Sequence, residues 1–173
     1  VYKRQAQRTL LVSALGPIAP TLVGCIELHG TGTALGDPTE AGSLSTVHGG
    51  ALRQAPAAVG AVKANVGHGE TSSGQVGLLK VRLLLESATI VGNMHLRALS
   101  SHVSSQMTAA AAHFAFSTQL GSFVTDHADR CTISSFGFSG MIAHAIVQHQ
   151  QDVNSWSPRL ITRLRYVRCT CAW

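Results

Sequence analysis

His29-Gly30-Thr31-Gly32-Thr33 is a run whose residue types invite chemistry. Its alternating glycines let backbone approach a ligand closely, and Thr31 and Thr33 set hydroxyls along that path. A lone His-Gly pair is ordinarily structural, but five such residues in a row are harder to read that way. A second run, Lys63-Ala64-Asn65-Val66-Gly67-His68-Gly69-Glu70, places a cation, an imidazole and an acid at the end of an apolar strand. Buried charges need partners. Two readings stand side by side: a structural Lys63–Glu70 ion pair, or a pair that orients His68 and sets its tautomer and pKa. The third run, Ser134-Ser135-Phe136-Gly137-Phe138-Ser139-Gly140, is a Gly-Phe turn before a strand. Such a turn either packs tightly or lines and gates a cavity.

The elements that must position these runs are legible in outline. Residues 22–28 read as a buried strand entering the glycine loop at 29–36. A helix follows, with Asp37 to cap its free amides, Pro38 at the first position and Glu40 completing a capping box; it should end near Gly49–Gly50. Residues 57–66 read as a second strand, and Ser72 or Ser73 caps a helix over 74–87. That helix carries Val76, Leu78, Leu79, Val81, Leu83, Leu84 and Leu85 on nearly every side, the pattern of a helix buried between layers. Gly74 and Gly77 would let it approach another element closely. Strand-like segments follow near 89–96, 114–118, 131–135 and 141–148, with loop and short helix at 100–112. This order predicts an α/β sheet with crossover helices.

Composition narrows the function. Hydrophobic residues make up 45% of the 173 and charged residues 12%, against roughly 25% in average proteins. So little charge points to extensive buried interfaces or to part of a larger body. The net charge of +5 comes from the two ends: residues 9–155 hold six basic and eight acidic residues, a net of −2. A nucleic-acid partner is therefore not expected, and the basic residues Arg159, Arg163, Arg165 and Arg168 read as a solvated tail. No apolar run is long enough for a membrane span, and a cytoplasmic protein is expected. Cys25, Cys131, Cys169 and Cys171 form no CxxC pair; Cys25 and Cys131 read as plain buried thiols, and the scattered histidines lack metal-ligand spacing.

Taken together, HGTGTALGDPTEA, VKANVGHGETSSG and SSFGFSGMIAHAIV resemble, in order and spacing, the carboxyl-terminal signatures of the β-ketoacyl synthase family. The wording is similar to the ketosynthase domains of modular polyketide synthases, with the fatty-acid type as an alternative. The resemblance covers roughly residues 20–148 and implies a thiolase-like fold, this chain forming one half of its α-β-α-β-α layered body. It divides the chain into a lead-in over 1–19, partly outside the family, the carboxyl-terminal ketosynthase half over 20–150, and a basic tail over 151–173 outside the fold.

In that family an upstream cysteine takes an acyl chain from an acyl carrier protein. Two histidines then act on a malonyl-type thioester carried on the same kind of phosphopantetheine arm, in a decarboxylative Claisen condensation. The resemblance makes His29 and His68 the catalytic pair, with Lys63, Glu70 and Asn65 supporting them. Thr31 and Thr33 match residues that touch the pantetheine, and Phe138 with Gly137 falls in the gating loop. No cofactor binds directly and no metal is implied. The partners implied are acyl carrier protein, the amino-terminal ketosynthase half and a second copy of the complete domain. The sequence also departs from the family. Neither Cys25 nor Cys131 sits in the family's cysteine motif, so this chain holds no nucleophile and is expected to be inactive alone. Leu99-Ser100-Ser101 replaces an Asn-Pro, Ser72 and Ser73 stand where alanine is usual, and Val1–Gln5 and residues 156–173 match nothing in the family. A non-catalytic thiolase-fold module that binds carrier protein or a partner subunit is the alternative of a different class.

Overall fold

Strands covered on both faces tend to pair in parallel and to be joined by helical crossovers, and that constraint organises this chain. The computed structural model describes residues 2–50, 53, 55–122, 129–149 and 165–169. In order they form α1 (Tyr2–Leu15), β1 (Cys25–Glu27), α2 (Gly36–His48), β2 (Ala57–Gly60) and a short α3 (Lys63–Val66). Then come α4 (Ser73–Ser87), β3 (Thr89–Ile90), α5 (Ser101–Met107), β4 (Phe114–Phe116) and β5 (Gly121–Ser122). The strands β6 (Arg130–Phe136), β7 (Ile142–Gln148) and β8 (Arg165–Cys169) complete the described chain. Six strands make one sheet in the order β4-β2-β1-β6-β7-β8. The first four are mutually parallel, and β7 and β8 run antiparallel to their neighbours.

Strand alternation sends side chains to two cores. Ile26, Ala57, Val59 and Ile146 face a cluster closed by Leu11, Leu15, Leu44 and Met107 from the helices α1, α2 and α5. Cys25, Cys131, Ile133 and Val147 face the other way, onto Val81, Leu84 and Leu85 of α4. The sheet is thus the middle of three layers. The two glycines of α4 make the close approach that their positions suggest. A Cβ on Gly77 would lie 2.9 Å from Ile133 Cδ1, and one on Gly74 would lie 2.9 Å from Ser135 Oγ.

Several expectations change. The first strand shortens to Cys25–Glu27. The second ends at Gly60 rather than near 66, because buried side chains take the next two amides out of the ladder. Asn93 Oδ1 accepts the Ala61 N–H at 2.8 Å, and the Glu27 carboxylate accepts that of Val62. Lys63 and Asn65 therefore ride on a helical turn. Of the segment 89–96, Thr89–Ile90 alone is strand, paired with β5. The helix α4 begins at Ser73, and neither serine caps it: Ser72 donates to the Gly69 carbonyl and Ser73 to that of Glu70. Nor is α4 buried all round. Leu79 and Leu83 are 57% and 61% exposed, because the sheet covers one side of the helix in this chain.

The described parts of both ends join the fold. The lead-in is a packed helix, with Leu10, Leu11, Ala14 and Leu15 buried and Gln7 accepting a bond from Ser43 Oγ of α2 at 3.1 Å. In the tail, Arg165–Cys169 pairs along β7 with Ile142 opposite Cys169. Residues 151–164 and 170–173, the rest of that tail, lie outside the described residues.

Gly77 gives this packing a direct test. Gly77→Val would push its side chain into Ile133 and should cost ~1–3 kcal/mol, as overpacking does. Urea unfolding measures it, and an unchanged midpoint would mean that α4 does not sit tightly on β6.

Candidate functional site

All three glycine-dense runs emerge at the carboxyl ends of parallel strands, β1, β2 and β6, the edge at which α/β sheets place their sites. The first run is held from below by α2. Glu40 is buried, and its two carboxylate oxygens accept the His29 and Gly30 amides at 2.8 and 3.0 Å. Burial pushes its pKa up to about 7 against the pull of those amides. Asp37 Oδ1 accepts from the Gly32 and Thr33 amides, and Thr33 Oγ1 accepts from that of Gly36. Asp37 and Glu40 thus cap the loop rather than the helix, whose N-cap is Leu35. The loop can wrap this way because Gly30 and Gly32 take φ of +46° and +76°, and a Cβ on Gly30 would lie 2.7 Å from that of Ala61.

The His29 ring joins the first run to the third. Its Nδ1 accepts the Phe136 amide at 3.2 Å, and it packs on the Phe136 ring at 5.2 Å between centroids. A ring nitrogen that accepts a backbone N–H carries no proton, so the proton of His29 sits on Nε2. Burial, followed by the positive charge of Lys63 and the neighbouring His68, lowers its pKa from 6.5 to about 4. His68 meets His29 edge-on, with centroids 5.9 Å apart and rings at 88°. The Nδ1 of His68 accepts the Glu70 amide at 2.9 Å, which fixes the same Nε2–H tautomer. Unlike His29, this ring is exposed.

The supporting residues distribute differently from the expectation. Lys63 does not pair with Glu70 among the described residues; the charges that act on it are those of Glu27, Glu40 and Asp37, opposing burial, which lowers its pKa. The chain turns so that Lys63 faces β1 and α2, while Glu70 stays at the surface and serves His68 through its backbone. Asn65 donates to the Gly92 carbonyl at 3.0 Å and braces a loop. Gly137 donates its amide to the Met141 carbonyl at the β6–β7 turn, whose tip leaves Phe138 fully exposed. Cys25 and Cys131 stand in register on β1 and β6, both buried, and burial raises the Cys131 thiol well above its ordinary pKa. His144, in the third run, is buried against Ser134 Oγ at 3.0 Å.

The sequence model described as "Beta-ketoacyl synthase, C-terminal domain" matches residues 3–97, more than half of the chain. The chain belongs to the β-ketoacyl synthase family. It is 37% identical over 138 residues to one of the phenolphthiocerol/phthiocerol polyketide synthase proteins of Mycobacterium tuberculosis, covering 78% of this chain and 7% of that one. It is 37% identical over 150 residues to polyketide synthase ThaG of Burkholderia thailandensis, covering 84% of this chain and 3% of that one. Among solved structures, an oxazolomycin ketosynthase domain from Streptomyces albus superposes with a TM-score of 0.76 at 30% identity, over 87% of this chain and 27% of that one. The ketosynthase from module 6 of the bacillaene synthase of Bacillus subtilis gives 0.75 at 29%, over 86% and 27%. The chain thus corresponds to the carboxyl-terminal half of a polyketide-type ketosynthase, has the thiolase-like fold, and spans 27% of each of these two ketosynthase chains.

Within this ketosynthase half, a cavity of about 430 Å³ opens beside the site, from Thr31, Lys63 and His68 down to Leu44, Met107 and Phe116. Thr31 lines it; Thr33 does not, being engaged at the start of α2. Sequence reasoning missed Glu27, Asp37, Glu40 and Asn93 as parts of the site. A lone Glu in the apolar stretch Cys-Ile-Glu-Leu was the available signal, since a charge there must be partnered.

The buried rings predict a pH dependence. Folding holds His29 and His48 neutral to about pH 4 and His144 to about 3, chiefly by burial, whereas the unfolded chain protonates them near 6.5. The unfolded state therefore binds more protons between those values, and stability falls as pH drops from 6.5 towards 4. Glu40 opposes this: its raised pKa gives stability that is lost as pH rises from 4.5 to about 7. Burial raises the Asp37 pKa in the same direction, and three rings against two carboxyls should leave the urea midpoint lower at pH 5 than at pH 7. A higher midpoint at pH 5 would show that these rings are not held neutral by the fold.

Proposed function

We propose that this chain supplies the two hydrogen-bond donors of a β-ketoacyl synthase that carries out decarboxylative Claisen condensation in polyketide assembly. One observation carries the reading: both His29 and His68 accept a backbone amide at Nδ1, which leaves two adjacent rings each with an Nε2–H to donate. Two such donors suit a thioester oxygen on which negative charge develops. When a malonyl-type thioester loses carbon dioxide, the electron pair of the broken C–C bond moves into an enolate. The enolate carbon then attacks an acyl-cysteine thioester, a C–C bond forms, the C–S bond breaks and the thiolate leaves. Donors already aimed at the enolate oxygen act most strongly in the transition state, where that charge appears.

In this reading Lys63 raises the positive potential near His29, Glu70 aligns His68 through its amide, and Asn65 braces the turn between them. The extender arrives on the phosphopantetheine of an acyl carrier protein, with Thr31 along the arm and Phe138 and Gly137 at its entrance. The nucleophile comes from the amino-terminal half of the ketosynthase, since Cys25 and Cys131 are buried on the sheet. Residues 20–150 make up the catalytic half-domain; the complete body dimerises and works in the cytoplasm, where free thiols persist.

Two measurements test the reading. In the ketosynthase completed by its amino-terminal half, His29→Ala and His68→Ala should each lower malonyl decarboxylation ~10²–10³-fold, the usual cost of one such donor. Carbon dioxide release at the unmutated rate by both variants would overturn the role. The 173-residue chain alone, given acyl- and malonyl-carrier proteins, should yield no β-ketoacyl product and take no acyl label on Cys25 or Cys131. Label on either thiol would move the nucleophile into this chain.

A further inference from the structure

Glu27 is 1% exposed at the end of β1, two residues before His29. One of its oxygens accepts the Val62 amide, and the other meets Lys80 Nζ of α4 at 2.6 Å. Two glycines leave room for the pair. A Cβ on Gly60 would lie 2.8 Å from Lys80 Nζ, and one on Gly77 would lie 3.6 Å from Glu27 Cγ. Lys80 is 11% exposed, so this is a desolvated ion pair, expensive to break by removing one partner. Lys80 meets no other carboxylate in an ion pair among the described residues.

Val62 is the root of the turn that carries His68. Its carbonyl accepts the Asn65 and Val66 amides at 2.9 and 3.0 Å, and the Lys63 carbonyl accepts that of Gly67 at 3.0 Å. From Gly67, at φ +81°, the chain passes straight to His68. The His68 ring is exposed, and its hydrogen bond is to the neighbouring Glu70 amide, a contact that moves with it. Beside the Ala61–Asn93 and Asn65–Gly92 bonds, the Val62–Glu27 bond ties the root of that unit to β1, the strand that leads to His29. Resting on the reading of His29 and His68 as a donor pair, we propose that Glu27 is the positioning residue that sets His68 against His29, with Lys80 as its counter-ion. The same side chain that follows the path of β1 towards His29 thereby ties down the turn that bears the second ring.

Single replacements would strand a buried charge, so the test uses paired ones in the full chain. Glu27→Gln with Lys80→Met removes both charges and keeps an acceptor for Val62. Glu27→Leu with Lys80→Met removes the acceptor as well. The readouts are the side-chain 15N signals of His68 by NMR and amide exchange at Val62, with exchange at Ile133 of β6 reporting the fold. The Gln–Met protein should keep the unmutated His68 signals. The Leu–Met protein should shift its His68 ring signals, as the ring leaves the edge of His29, and exchange its Val62 amide at least ~10-fold faster, with Ile133 unchanged. Unmoved His68 signals in a Leu–Met protein whose Val62 amide exchanges faster would overturn the proposal, as would loss of Ile133 protection in both proteins. These signals do not depend on turnover, so failure here is separate from an active His68→Ala variant, which would sink the catalytic reading instead.

Discussion

A carboxylate taken out of water must find donors, and Glu40 finds two in consecutive amides of the loop above it. The His29 and Gly30 N–H groups both bond to the Glu40 carboxylate of α2, which holds the loop over the start of that helix. Asp37 repeats the arrangement one turn earlier with Gly32 and Thr33. The left-handed glycines, the approach of Ala61 and the seat of His29 against Phe136 all follow from that grip. Unpaired, the same carboxylate would carry the desolvation cost of a buried charge, so loop and helix stand or fall together.

The site is built on backbone as much as on side chains. Each ring has its tautomer fixed by a main-chain amide, one from β6 and one from the turn before α4. A backbone donor does not titrate, so the Nε2–H of His29 keeps its direction down to about pH 4, where the ring itself takes a proton. Of the charged groups, Lys63 and Glu40 line the cavity beside the rings, and the charge of Lys63 acts on His29.

The glycine-dense runs made His29, His68 and the Gly-Phe turn legible, because such residue choices have few other uses. The order of strands and helices was legible too, since burial on both faces leaves a distinct apolar pattern. The partners were not. Asp37 and Glu40 fit a helix-capping pattern along the chain, yet in space the loop folds back and claims both carboxylates. Lys63 and Glu70 are close in sequence, but a helical turn and a left-handed Glu70 send them apart. Strand length failed for a similar reason: side chains from Glu27 and Asn93, 35 and 32 residues away, end β2 by capturing its next amides. Local pattern reads propensity, whereas these choices were made by contacts between distant residues.

The uncovered side of α4 connects composition to chemistry. Leu79 and Leu83 stand outside a helix whose opposite side is packed on β6, in a chain with 12% charged residues. The thiolase-like body has five layers, and a helix of this kind belongs in the central one. His68, Gly69 and Glu70 lie shortly before α4 and are exposed, as Leu79 and Leu83 are. Removing water there strengthens the pull of an Nε2–H on an oxyanion, because the screening that weakens it in solvent is gone. His29 is already partly buried by its own half. In the proposed reading, covering the apolar side of α4 would give His68 the same environment.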